Sequence, residues 1–167
     1  MIRRFPTVSD NANNPFCLYR SPVGLLKIEM NEYGICALHF LREVEPGFCD
    51  ITVPGQPLLK QAVQELKEYF LGSRREFTLP LVPQGTPFQL SVWQALQTIP
   101  YGTTCSYGEI AAAIGNPKAC RAVGMANNKN PLPILIPCHR VIGANGKLVG
   151  YGAGLDIKNQ LLALEQK

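Results

Sequence analysis

The sequence predicts an α+β protein in two parts: a small α/β unit with antiparallel strands over residues 1–85, and a mostly helical domain over residues 86–167. Three observations carry that reading. Apolar residues alternate with period two between Phe16 and Phe40, and the period turns helical between Leu59 and Phe70. Beyond the proline-rich stretch FTLPLVPQG, helix-start signals recur at Thr86, Ser106 and Asn116.

CLYR, LLKIEM and ICALHF read as three short strands joined by turns at SPVG and NEYG, which fits an antiparallel meander. In QPLLKQAVQELKEYFLG, Leu59, Ala62, Val63, Leu66, Tyr69 and Phe70 share one helical face, with Pro57 near the start and Gly72 as a stop. FTLPLVPQG, with two prolines and a glycine, reads as an extended linker. TPFQLSVWQALQTI then opens a helix on Thr86 as N-cap, with Pro87 at the first helical position, where its missing N–H costs nothing. Ser106 and Glu109 form a capping box for a short helix ending at Gly115, and NPKACRAVGMANN restarts a helix with Asn116 as its cap. These two short helices are a helix-turn-helix candidate. The second carries Lys118 and Arg121 among small residues and no acid, as suits a helix lying close to phosphates. After the glycine-rich GKLVGYGAG, a last helix is expected to pack Leu155, Leu161, Leu162 and Leu164, with Glu165 near its end.

Hydrophobic residues make up 46% and charged residues 17%, which excludes a disordered tail protein. No apolar run approaches the roughly 20 residues that cross a bilayer. The N-terminal MIRRFPTVSDNANNPF has a basic start but no apolar region behind it, so a cytoplasmic location is expected. The six cysteines include no C-x-x-C pair, which counts against zinc ribbons and thioredoxin-type sites. Cys36 and His39 alternate with apolar neighbours and read as strand residues rather than a metal half-site. No metal, cofactor or obligate protein partner is expected, and a monomer is the simplest state.

One stretch stands out. ILIPCHRVIG is mostly apolar, yet it places a thiol, an imidazole and a guanidinium in succession at Cys138, His139 and Arg140. Pro137 fixes φ immediately before the thiol. A reactive thiol needs its anion stabilised by a cation, an imidazole or a dipole; His139 can supply that, directly or through a water, and Glu165 can orient the imidazole. The alternative is structural: a small buried thiol, a satisfied core histidine, and Arg140 as an internal salt-bridge partner. In an extended segment neighbouring side chains point apart, so a direct thiol–imidazole bond of the cysteine-hydrolase kind is disfavoured.

The run ILIPCHRVIG, the preceding SYGEIAAAIGNPKACRAVGMANNKNP, and the upstream GTPFQLSVWQAL with IPYG together resemble the 6-O-alkylguanine-DNA alkyltransferases, also called methylated-DNA–protein-cysteine methyltransferases. The resemblance covers nearly all of residues 86–165 and, more loosely, the SPVG hairpin. It implies a ribonuclease H-like N-terminal unit and a winged helix-turn-helix. It implies direct-reversal repair of duplex DNA carrying alkylated guanine, with O4-alkylthymine as a second candidate substrate. The alkyl group would pass irreversibly, in one turnover, to Cys138. His139, through a water, and Glu165 would activate that thiol. Arg121 would be the finger that fills the space of the extruded guanine, with Lys118 beside it on the DNA side. Tyr107 would press on the phosphate and donate toward the departing base. Asn130 would be the hinge between the helix-turn-helix and the active segment, Val141 and Tyr151 would wall the pocket, and backbone groups around Cys138 and Gly152 would read the base edges.

Two departures bear on this. VGMANNKNP differs from the family's more usual small, glycine-rich wording after the finger helix, which bears on pocket size. The chain also begins almost at the α/β unit, without the zinc-binding, phosphotriester-repairing region of the adaptive-response regulators, so a constitutive, stand-alone form is expected. Cys138 itself excludes the cysteine-less, alkyltransferase-like lesion binders. Two other classes compete: a non-catalytic DNA-binding module with a structural thiol, and a cysteine hydrolase, which would turn over.

The charge distribution also bears on DNA. Residues through Gly85 carry nine basic and nine acidic groups, whereas the remainder carries seven basic against three acidic. The whole excess of positive charge therefore lies in the half with the helix-turn-helix. No side-chain set suited to reading bases in the major groove is visible, so binding should be independent of sequence; and a domain this weakly basic neutralises few phosphates, so the slope of log K against log salt should be shallow, about −2 to −4. Titration of labelled duplexes at several salt concentrations checks this; strong preference among unmodified sequences would contradict it.

Overall fold

The computed structural model describes residues 14–41 and 55–166 and divides the chain into two compact units between Gln84 and Gly85. In the first, β1 (Phe16–Ser21), β2 (Gly24–Asn31) and β3 (Gly34–Leu41) form an antiparallel meander in the order β1-β2-β3. Both hairpin turns are as short as two residues allow, because Ser21 faces Gly24 and Asn31 faces Gly34 across them. Asn31 Oδ1 accepts from the amides of Tyr33 and Gly34 at 2.9 and 3.1 Å, closing the second turn with its own side chain. Cys36 is buried on β3 while the His39 side chain is exposed, so the pair makes no half-site.

Helix α1 (Pro57–Phe70) covers this sheet with Leu59, Ala62, Leu66 and Tyr69. Val63 and Phe70, expected on the same face, are only half-buried, and Glu65 is buried in their place. A buried carboxylate needs donors. Thr78 supplies its amide and hydroxyl, Gln61 its amide, and Arg74 lies 3.6 Å away. Burial pushes the Glu65 carboxyl up, but these hydrogen bonds outweigh it and leave it below the usual range. The stretch expected as a linker is partly structural: Ile35 donates to Pro80 O at 2.8 Å and accepts from Val82 N at 2.9 Å, a parallel bridge along β3. A side chain at position 34 would strike the Pro80 carbonyl, which explains Gly34.

The second unit begins with α2 (Pro87–Leu96), capped by the reciprocal bonds of Thr86 and Gln89. Trp93 on α2 is fully buried and donates its indole N–H to Ala126 O at 2.8 Å. The short strand β4 (Cys105–Ser106) leads into α3 (Tyr107–Ala113), whose Ser106–Glu109 capping box is present as expected. α3 ends in a Schellman motif: Gly115 N reaches Ala112 O and Asn116 N reaches Ala111 O, with Gly115 at φ 75°. The Asn116 amide closes α3, and the N-cap position of the next helix falls to Ala119, three residues later. That helix, α4 (Cys120–Asn128), starts with no side-chain cap, after a turn in which Ala119 N bonds Asn116 O. Lys118 therefore lies in the turn, not on the helix, and Arg121 occupies its first turn.

Beyond α4 the chain makes a tight buried loop, one 3-10 turn (Cys138–Arg140), strand β5 (Val141–Ile142), which pairs in parallel with β4, and finally α5 (Leu155–Glu165). α5 differs from expectation in what it buries. Leu155 is exposed and Leu162 and Leu164 are half-buried; the buried residues are Lys158, Leu161 and Glu165. Among the described residues no helix is long and apolar enough to cross a membrane.

Candidate active site

The loop before Cys138 is held in an unfavourable conformation. Ile134, β-branched and buried, sits at φ 73°, a region such residues rarely enter. Asn130 stabilises it from both sides: its Nδ2 donates to Ile136 O at 2.8 Å and its Oδ1 accepts from Leu132 N at 3.0 Å. The PCHR segment is not extended, as the sequence suggests, but one turn of 3-10 helix, closed by Arg140 N on Pro137 O at 3.1 Å. Cys138, His139 and Arg140 are all buried.

Glu165 ties this turn to α5. Its Oε1 accepts from His139 Nε2 at 2.7 Å and Arg140 Nη2 at 3.0 Å; its Oε2 accepts from Arg140 Nε at 2.8 Å and the Gly102 amide at 3.1 Å. Burial alone would raise this carboxyl, but the bonds from His139, Arg140 and Gly102 bring it down to about 2. Gly102 is at φ 74°, and a Cβ there would lie 2.8 Å from Glu165 O, so only glycine brings this amide to the carboxylate. Arg140 Nη1 also donates to Ile99 O at 2.6 Å, and its guanidinium lies 5.7 Å from the Tyr101 ring centroid. The internal salt-bridge role considered for Arg140 is the one it occupies.

His139 is fully buried, and burial holds its pKa below the ordinary value despite Glu165. The imidazole is therefore neutral near pH 7. An ionised carboxylate only accepts, so the ring's single proton sits on Nε2, facing Glu165. Nδ1 carries the lone pair and has no partner among the described residues. Burial also pushes the Cys138 thiol up to about 11, against the opposing influence of the Asn130 side chain, the Lys158 charge and Tyr151. The resting sulfur is a thiol.

Lys158 is a member of the site that sequence reasoning missed. Fully buried on α5, it donates through Nζ to Val141 O at 2.6 Å, Val149 O at 2.9 Å and Gly150 O at 3.5 Å. The signal was present: position 158 lies three residues from both Leu155 and Leu161, where an apolar stripe should continue. Tyr107, at the start of α3, donates its hydroxyl to the same Val149 carbonyl at 3.1 Å; burial raises its pKa, and the Cys138 sulfur, once ionised, adds to that. Cys138, His139, Glu165, Asn130, Val141, Tyr151 and Tyr107 thus gather around one turn. Gly152 borders it, exposed, with its Cβ position 3.4 Å from Asn128 O. Arg121 and Lys118 stand apart on the surface, exposed in the first turn of α4 and in the turn before it.

The chain matches two family models end to end, the ribonuclease-like domain of 6-O-methylguanine DNA methyltransferase over residues 16–83 and its DNA-binding domain over residues 87–167. It belongs to that family. It is 49% identical over 151 residues to the methylated-DNA–protein-cysteine methyltransferase of Methanosarcina acetivorans, covering 90% of this chain and 97% of that one. A constitutive methyltransferase of Bacillus subtilis is 59% identical over 111 residues, 66% of this chain and 67% of that one. The crystal structure of the Mycobacterium tuberculosis protein in complex with DNA superposes with a TM-score of 0.80 at 46% identity, over 90% of this chain and 92% of that one. The methyltransferase fold that the resemblance implied, a ribonuclease-like unit followed by a DNA-binding domain, is thereby shown.

The depressed Glu165 carboxyl makes a signed prediction. Its contribution to stability is present above the unfolded value near 4.5 and is lost as pH falls toward about 2. Glu165→Gln, which leaves Arg140 buried without its counter-charge, should cost about 3–5 kcal/mol at neutral pH. Urea unfolding at pH 6 and pH 3 should show the gap between wild type and Glu165→Gln narrowing at the lower pH.

Proposed function

We propose that the protein repairs duplex DNA by direct reversal, taking the alkyl group of O6-alkylguanine onto Cys138. The observation that carries this reading is the neutral His139, protonated toward Glu165 and presenting a free Nδ1 lone pair in the residue next to a buried thiol. In the transfer, the Cys138 proton passes through a water to His139 Nδ1. The thiolate attacks the alkyl carbon; a C–S bond forms, the C–O6 bond breaks, and its electron pair leaves on guanine. A proton delivered to guanine, from the Tyr107 hydroxyl or the imidazolium, leaves a neutral base. The product is a thioether, which water does not cleave under mild conditions, so one molecule accepts one group. A cysteine hydrolase would instead regenerate its thiol.

The remaining roles follow from placement. A buried thiol meets a base only if the base leaves the stack, and extrusion costs a few kcal/mol, least for a poorly paired alkylated guanine. Arg121, exposed on α4, is assigned as the plug for the vacated space, with Lys118 contacting phosphate from the preceding turn. Tyr107 exchanges its bond to Val149 O for one to the flipped nucleotide. Asn130 is the hinge, Val141 and Tyr151 wall the pocket, and backbone groups of Cys138 and Gly152 meet the base edges. Residues 86–167 carry this chemistry, and the cytoplasm is its assigned location.

Two experiments test the reading. After reaction with methylated duplex, intact-protein mass spectrometry should show addition of one methyl group, and peptide mapping should place it on the Cys138 peptide alone; modification at Cys105 or Cys120, or full activity of Cys138→Ala, would overturn it. Arg121→Ala should slow repair of duplex about tenfold or more, while free benzylguanine, which needs no extrusion, reacts at nearly the original rate. Equal slowing of both substrates would return Arg121 to a structural role.

A further inference from the structure

Asn127 lies in the last turn of α4, six residues after Arg121, and only 3% of it is exposed. Its Nδ2 donates to the Cys138 carbonyl at 3.3 Å, while its Oδ1 has no partner among the described residues. The reverse amide orientation would set Oδ1 against a carbonyl oxygen, so the assignment is fixed by chemistry. His139 Nδ1, in the residue after Cys138, is a second buried acceptor with no partner among the described residues. A buried acceptor left unpaired is costly, and two of them on residues that bond or adjoin Cys138 call for a donor.

We propose that Asn127 is a positioning residue for alkyl transfer: its Oδ1 and His139 Nδ1 together take the two O–H bonds of one water, which leaves the lone pairs of that water for the Cys138 S–H. This rests on the reading of Cys138 as alkyl acceptor. The thiol proton passes to the water oxygen and a water proton to Nδ1; the O–H on Asn127 stays in place, Nε2–H stays on Glu165, and the water is restored. Without Asn127 the water is free to rotate and donate elsewhere, and the relay loses its direction. Because Asn127 belongs to the same helix as Arg121, the residue that orients the proton relay is carried by the element assigned to the DNA.

The charged and titratable groups around the thiol are Lys158 from α5, Tyr107 from α3, Tyr151 from the glycine-rich loop, Cys105 from β4, and the His139–Arg140–Glu165 cluster; α2 offers none. None of them is altered by changing Asn127, so a change in pH profile reports the relay. The test is the rate of Cys138 benzylation by free benzylguanine, followed from pH 6 to pH 10 in the full chain. Asn127→Ala should be slowed about tenfold at pH 7, with the deficit closing as rising pH ionises the thiol without help. Asn127→Ser, which loses the same packing but keeps an oxygen for the water, should stay within about threefold of wild type across the range. An Asn127→Ala rate equal to wild type, or slowed equally at every pH, or matched by Asn127→Ser, would overturn the proposal. If Asn127→Ala does not fold, the Asn127→Ser profile decides, uniform slowing again counting against it. Wild type that fails to label Cys138 at all would sink the underlying reading instead.

Discussion

The Glu165 carboxylate is the interaction on which the second unit's chemistry depends. It is almost wholly buried and accepts four hydrogen bonds from three residues on two segments of chain: His139, two nitrogens of Arg140, and the Gly102 amide. A charge removed from water is tolerated only with a counter-charge and full hydrogen bonding, and Arg140 supplies the counter-charge. That leaves His139 neutral beside an ionised carboxylate, which sets its tautomer. A carboxylate without Arg140 would drift toward protonation and lose its command of the ring.

A high thiol pKa does not by itself distinguish the cysteine proposed as the alkyl acceptor. Burial also pushes Cys17 and Cys105 up to about 11, as it does Cys138. What sets Cys138 apart is the company it keeps: a buried cation at Lys158, the side chains of Asn130 and Tyr151, and an imidazole lone pair in the next residue. Lys158 in turn gathers the carbonyls of Val141, Val149 and Gly150, so the cation that favours the thiolate also fixes the chain on both sides of the pocket. The thiol form at rest protects the sulfur from casual oxidation and alkylation until a base is in place.

The end of the helix assigned to DNA is anchored to α2, and it and the residues just after it are anchored to the active segment. Trp93 bonds Ala126 O, Asn127 bonds Cys138 O, and Asn130 bonds Ile136 O. Two of these bonds reach the peptide of Cys138 and the strained loop around Ile134, so the end of α4 is linked to the turn that carries the sulfur. The bulkier wording after Arg121, Met125 through Lys129, thus has a structural side: Asn127 is buried as a link, while Met125 is left 65% exposed.

By itself the sequence determined what depends on neighbours along the chain. The meander, α1, the N-cap at Thr86, the capping box at Ser106 and the α3 stop at Gly115 all rest on contacts within a few residues, which local propensity encodes. The motif PCHR with Glu165 named the reactive cluster. Only the tertiary structure decided the rest. The start of α4 moved to Cys120 because the end of α3 claims Asn116. Part of the expected linker became an edge on β3 because Ile35 had backbone groups to satisfy. α5 turned Lys158 and Glu165 inward on the same face as Leu161, because Arg140, His139 and the carbonyls of Val141 and Val149 wait on the other side. Polar partners brought together from distant parts of the chain cannot be read from periodicity, since the energy that buries them belongs to the pair and exists only once the fold has formed.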